Sequence, residues 1–186
     1  TSKKKMLSGL ALSPDCIFFF SRWRGKENYK MSLLKTEKRL IAYNFTYCFY
    51  EQNELLPPFV NLGTLGFNFG MQGVQFVATS TTAESQMLSN PMYVHSIPNN
   101  NDNQDIVSMG TNSAVITSKV IENAFEVLAI EMITIVQAID YLEQKDKISS
   151  VSKKWYDDVR KIIPTFKEDQ VMYPFVQQVK DYLINS

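Results

Sequence analysis

From Ser32 the apolar residues Leu33, Leu34, Leu40, Ile41 and Phe45 recur on one helical face, with Lys35, Glu37, Lys38 and Arg39 between them. This spacing predicts a helix that ends before Leu56-Pro57-Pro58, because a proline pushes the residue before it out of helical geometry. Residues 57–66, with Gly63 and Gly66, then read as a loop. The stretch Phe67 to Leu88 holds the β-branched residues Val74, Val77, Thr79, Thr81 and Thr82, so propensity alone does not place it. Length does: an unbroken run from about Phe69 to Leu88 is too long for an ordinary strand and predicts a buried helix stopped by Ser89-Asn90-Pro91.

The longest periodic run extends from Ile106 to about Leu142. Val115, Val120, Ala124, Val127, Leu128, Ile130, Ile135 and Ile139 leave little of it strongly polar, which predicts a helix buried on most sides. A helix of about 35 residues spans roughly 50 Å, long enough to meet helices of other chains in a bundle. Ser152 or a neighbour caps a shorter helix that runs through Ile163 and stops at Pro164. A final helix follows Pro174, with Phe175, Val179 and Leu183 on one face. Residues 1–30 carry no clear period. Their apolar patch Cys16-Ile17-Phe18-Phe19-Phe20 needs a covering surface, either as a short buried strand or against another chain.

Composition agrees with a helix-rich domain: 45% hydrophobic, 12% aromatic and seven glycines in 186 residues. Nineteen basic and nineteen acidic residues cancel, so no nucleic-acid or acidic-membrane partner is expected. No apolar run reaches the length of a membrane span, and Ser13-Pro14-Asp15 interrupts the stretch after Lys3-Lys4-Lys5 too early for a signal peptide. Cys16 and Cys48 lack metal-ligand spacing and suit free, buried thiols in a reducing compartment, so the chain is expected in the cytoplasm. His95 is the only histidine and has no second His or Cys beside it, so no metal site is expected.

The chemistry worth weighing lies in Ser96-Ile97-Pro98 through Gly110, a carboxamide-dense loop running into the long helix. A helix start offers exposed N–H groups and a positive dipole end to an anionic group, and Asn and Gln beside it both donate and accept hydrogen bonds. One reading of Asp102-Asn103-Gln104-Asp105 is helix capping, for which Asp and Asn are preferred. The other has Gln104 pointing its carboxamide into a site whose negative charge the helix end stabilises. Composition leaves both open.

Ser96-Ile97-Pro98 with Asn103-Gln104-Asp105-Ile106-Val107-Ser108-Met109-Gly110 resembles the C-terminal signature of the histidine and aromatic amino-acid ammonia-lyases and aminomutases. Further segments resemble that family in the same order: Lys35-Thr36-Glu37-Lys38-Arg39, Leu56-Pro57-Pro58-Phe59, Asn68-Phe69-Gly70-Met71 with Gln75, and Glu122-Asn123 with Leu128-Ala129-Ile130-Glu131. The resemblance runs from about Ser32 to the end, dividing the chain into an unassigned segment 1–31 and a helical domain 32–186. It implies an all-α fold of long near-parallel helices, the C-terminal part of the family's central bundle, assembled as a tetramer whose sites draw on several subunits. It also implies a prosthetic group, 4-methylideneimidazole-5-one, formed from an internal Ala-Ser-Gly, which removes ammonia from an α-amino acid.

The same resemblance makes Gln104 a substrate-binding candidate and Asn103 and Asn68 possible site-lining residues. Histidine-specific members carry Glu at the Gln104 position and tend to have His at that of Ile106, so an aromatic substrate is expected. No Ala-Ser-Gly occurs in the sequence, and Leu7-Ser8-Gly9 is the nearest string. No catalytic or cofactor-binding residue is therefore assigned here, and none of the family's prosthetic group is expected from this chain. Two readings follow. The chain is a C-terminal lyase or 2,3-aminomutase fragment that acts on a small amino acid once complemented by the N-terminal part, or it is a non-catalytic helical remnant that self-associates.

Overall fold

The computed structural model describes residues 56–185 apart from 102, 105, 106 and 108. The helix predicted from Ser32, the apolar patch at 16–20, Cys48 and the boundary between 1–31 and 32–186 lie outside the described residues. Among the described residues the fold is all-α: α1 (Gln72–Met87), α2 (Gly110–Tyr141), α3 (Ser150–Ile162) and α4 (Tyr173–Asn185). Short 3-10 turns occupy Pro58–Val60, Met92–His95 and Lys145–Lys147.

Helix α1 accommodates its β-branched run because hydroxyls pair with the turn before them. Thr79, Thr82 and Ser85 donate to the carbonyls of Gln75, Ala78 and Thr81 at 2.9, 2.7 and 3.1 Å. At its end Asn90 Nδ2 donates to the Met87 carbonyl at 3.2 Å, satisfying an acceptor the helix has left over before Pro91. Val74, Ala78 and Ser85 form its buried stripe.

Thirty-two residues make α2 roughly 48 Å long. Its burial is uneven. From Asn123 to Ala138 it is buried on more than one side, with Ala129, Ile130, Ile133 and Thr134 fully enclosed. Full burial of isoleucine side chains such as Ile130 and Ile133 contributes about 1.5–3 kcal/mol each. Before Asn123 the helix is largely open, and Val115 is 66% exposed, so the expectation of burial along the whole length holds only for the second half. Helices α1 and α4 both pack against α2, and α3 closes the end near Tyr141.

Ser149, rather than Ser152, caps α3: its hydroxyl accepts from the Ser152 N–H at 3.2 Å. The stripe Ser152, Tyr156, Val159 and Ile163 at helical spacing is buried. On α4 the buried positions are Val176, Val179 and Leu183, with Phe175 only half-buried beside them. Pro174 sits in the first turn, where its missing N–H costs nothing.

The loop ahead of α1 is tightly folded. Phe59 and Val60 have φ of 54° and 49°, a region that bulky residues enter only at a cost of about 1–3 kcal/mol. Val60 is fully buried there, and the Phe59 carbonyl accepts the Met71 N–H at 2.9 Å, which offsets that cost. Gly70 has φ of 59°, and a Cβ on it would meet the Phe59 carbonyl oxygen at 2.8 Å, so only glycine fits.

Candidate functional site

The carboxamide-rich loop folds on itself before α2 begins. Asn99 and Gln104 form an antiparallel bridge: the Asn99 N–H donates to the Gln104 carbonyl at 3.0 Å, and the Gln104 N–H returns at 3.3 Å. Asn100 and Asn101 between them have φ of 52° and 56°, a left-handed pair that Asn tolerates better than most residues. The Asn103 N–H closes the turn on the Asn100 carbonyl at 3.2 Å. Ser96 Oγ then accepts the Val107 N–H at 2.6 Å and holds the outgoing strand of the loop.

This geometry corrects the capping reading. Helix α2 starts at Gly110 behind Met109, which has φ of 48° and no side-chain cap, and Asn103 and Gln104 lie well before it. The asparagines at 100 and 101 serve the left-handed turn instead. Gln104 and Asn103 are both exposed, and among the described residues neither side chain makes a hydrogen bond. The main chain of Gln104 is thus tied to Asn99 through both its N–H and its carbonyl, while its amide is exposed.

Asn68 is employed differently. Its Oδ1 accepts the Asp169 N–H at 3.1 Å, and its carbonyl accepts Asn61 Nδ2 at 2.6 Å. The Asp169 carboxylate in turn accepts the N–H groups of Phe69, at 2.9 and 3.1 Å to its two oxygens, and of Gly70, at 3.0 Å. Asn68 therefore belongs to a clasp between the loop before α1 and the segment before α4, and none of these bonds reaches the turn at 99–104. Nothing near Asp169 in sequence marks it, because its partners are about a hundred residues away.

Two further charged groups were given no role by the sequence reading. Glu131 lies in the buried half of α2, and loss of water around it pushes its carboxyl from 4.5 up to about 7. Asp140, at the end of α2, accepts from Arg160 Nη2 at 2.8 Å and from the hydroxyls of Tyr156 and Thr165. Burial, followed by the bond to Asp140, raises the Tyr156 phenol above its ordinary value. Among the described residues no three His, Cys, Asp or Glu side chains gather as a metal site, and His95 ends an exposed 3-10 turn.

Four helices, with α2 packed against the other three, place the described residues among the all-helical bundles. Sequence comparison narrows the class. The sequence model of the aromatic amino acid lyase family matches residues 43–161, and the chain belongs to that family. It is 41% identical over 118 residues to histidine ammonia-lyase 1 of Fusobacterium nucleatum, covering 63% of this chain and 23% of that protein. It is 37% identical over 128 residues to the MIO-dependent tyrosine 2,3-aminomutase of Streptomyces globisporus, covering 69% and 24%. The crystal structure of tyrosine aminomutase from Streptomyces globisporus superposes with a TM-score of 0.68 at 31% identity, over 84% of this chain and 28% of that one. The chain spans about a quarter of the length of the curated relatives it matches.

Proposed function

We propose that these helices form the C-terminal part of an ammonia-lyase or aminomutase site, which takes the amino group from an aromatic α-amino acid when joined by a part that bears the prosthetic group. The observation that carries this reading is Gln104, whose main chain is pinned to Asn99 while its carboxamide is exposed and makes no hydrogen bond among the described residues. An amide so held donates to a substrate carboxylate or accepts from its ammonium group without rearranging. Asn103 precedes it in the turn and is exposed as well. Similarity to a tyrosine aminomutase agrees with an aromatic substrate, and similarity to a histidine ammonia-lyase keeps histidine as the alternative.

The 4-methylideneimidazole-5-one group does not fit the residues present, because the chain holds no Ala-Ser-Gly from which to form it. The complementing part supplies it, on the same or another polypeptide, and the residues here bind and orient the amino acid. The assembled enzyme is a cytoplasmic homo-oligomer in this reading. Exposed Phe69, Phe76, Val77 and Tyr173 around a groove of about 490 Å³ support burial against further copies. The chain is accordingly expected to sediment as an oligomer at micromolar concentration, and a clean monomer would count against it.

The decisive assay mixes the chain with the Ala-Ser-Gly-bearing part of a family member and follows ultraviolet absorbance with L-tyrosine, L-phenylalanine and L-histidine. Product is expected from the mixture and not from the chain alone. Gln104→Ala is expected to raise KM for the aromatic substrate about tenfold, the effect of one lost hydrogen bond of about 1.4 kcal/mol. Gln104→Glu is expected to move preference toward histidine. Absence of product from the mixture with all three amino acids, or an unaltered KM in Gln104→Ala, sinks the proposal.

A further inference from the structure

The turn Met92–His95 packs against α2, and the chain leaves it at Ser96 in extended geometry, with φ of −60° and ψ of 129°. It runs out through Ile97, which is 66% exposed, and Pro98 to the bridge at Asn99. The return arm carries Gln104 and reaches Val107, shortly before Met109 and the start of α2. Ser96 Oγ accepts the Val107 N–H at 2.6 Å and ties the two arms together at the foot of the loop. The bonds farther out, between Asn99 and Gln104 and between Asn103 and Asn100, run from main chain to main chain. A change of side chain at Ser96 therefore removes the closure at the foot and leaves the donors and acceptors of those outer bonds in place.

We propose that Ser96 is a positioning residue for Gln104. A lone pair of short arms is marginal in water, and the tip here sets Asn100 and Asn101 in left-handed geometry, at a further cost. Closing the foot reduces the chain entropy that the Asn99–Gln104 bridge has to overcome. Without that closure the bridge opens more often, and only chains with the bridge formed hold Gln104 in its fixed place. The serine hydroxyl thus acts on Gln104 through the loop, as a support that orients a residue it does not touch. An effect on substrate through Gln104 rests on the function proposed above, whereas the hold of Ser96 on the loop does not.

Amide hydrogen exchange in the 186-residue chain tests that hold directly. In Ser96→Ala the Val107 N–H is expected to exchange about fivefold faster, the effect of one lost hydrogen bond, and the Gln104 N–H faster by a similar factor as the bridge opens with the foot. Ser96→Thr keeps a hydroxyl acceptor and is expected to restore both. Ser96→Cys, close to serine in size but a weak acceptor, is expected to fall between, and it stands in if the alanine variant does not fold. Unchanged exchange at Val107 overturns the closure. Faster exchange at Val107 with Gln104 unmoved overturns the positioning role. In the complemented enzyme Ser96→Ala is expected to raise KM about fivefold with kcat nearly kept, and to add nothing in a Gln104→Ala background, because its effect passes through that side chain. An equal rise in both backgrounds also overturns the positioning role. Failure of the wild-type mixture to turn over counts against the proposed function alone, and the exchange rates still decide on Ser96.

Discussion

Replacing Arg160 by alanine is expected to cost about 3–5 kcal/mol of folding stability, the range for removing one partner of a buried ion pair. The guanidinium and the Asp140 carboxylate are only 11% and 16% exposed, and Arg160 joins three acceptors: Asp140 at 2.8 Å, Gln137 Oε1 at 3.1 Å and the Ile163 carbonyl at 3.1 Å. Truncation takes a donor from all three and leaves Asp140, still bonded to the hydroxyls of Tyr156 and Thr165, as an unpaired charge with little water. Against a typical domain stability of about 5–15 kcal/mol this is a large share. Lysine at 160 is not expected to rescue, since one ammonium cannot reproduce a planar fork reaching three sites. Replacing Arg160 and Asp140 together by Met and Asn is expected to cost less than Arg160→Ala alone, because no charge is then left unpaired. Urea denaturation of the three variants checks the order. Equal losses in the single and double variants would contradict it.

The second large effect concerns pH. The Glu131 carboxyl is raised from 4.5 to about 7 by burial. Below about pH 4.5 it is protonated in folded and unfolded chains alike and contributes nothing to the difference. Between that value and about 7 the folded chain keeps a proton that the unfolded chain has lost, so stability falls as pH rises. Above about 7 the carboxyl is ionised in both states and the whole penalty, about 3 kcal/mol, is present. Glu131→Gln is therefore expected to be more stable than the parent at pH 8 by up to about 3 kcal/mol and nearly equal to it at pH 4. Denaturation midpoints from pH 4 to 8 measure this directly. Curves for the two proteins that run parallel across that range would refute the assignment.

The helices were legible wherever the chain announces its stops. Pro91, Pro164 and Pro174 bracket α1, α3 and α4 within a few residues of the predicted ends, because proline acts locally on the residue before it. The start of α2 was less so. Asp102-Asn103-Gln104-Asp105 reads as a cap in sequence, whereas Asn103 and Gln104 lie in a turn well before Gly110 that the left-handed Asn100 and Asn101 make. The burial of α2 was overestimated in its first half because apolar periodicity marks a face and not what covers it.

The site divided along similar lines. Gln104 could be picked out from a contiguous motif, and the turn explains how its main chain is held. Asp169 and Arg160 could not, since each acts across a distance in sequence that only the packing of α2, α3 and α4 closes. Glu131 was visible within an apolar run, but its raised pKa depends on how completely water is excluded there.

Gly110 and Asp140 lie at opposite ends of α2, roughly 45 Å apart at 1.5 Å per residue. That separation places the carboxamide turn and the ion-pair cluster beyond the reach of direct coupling. Substitutions made at the two ends together are thus expected to change folding stability by the sum of their separate effects.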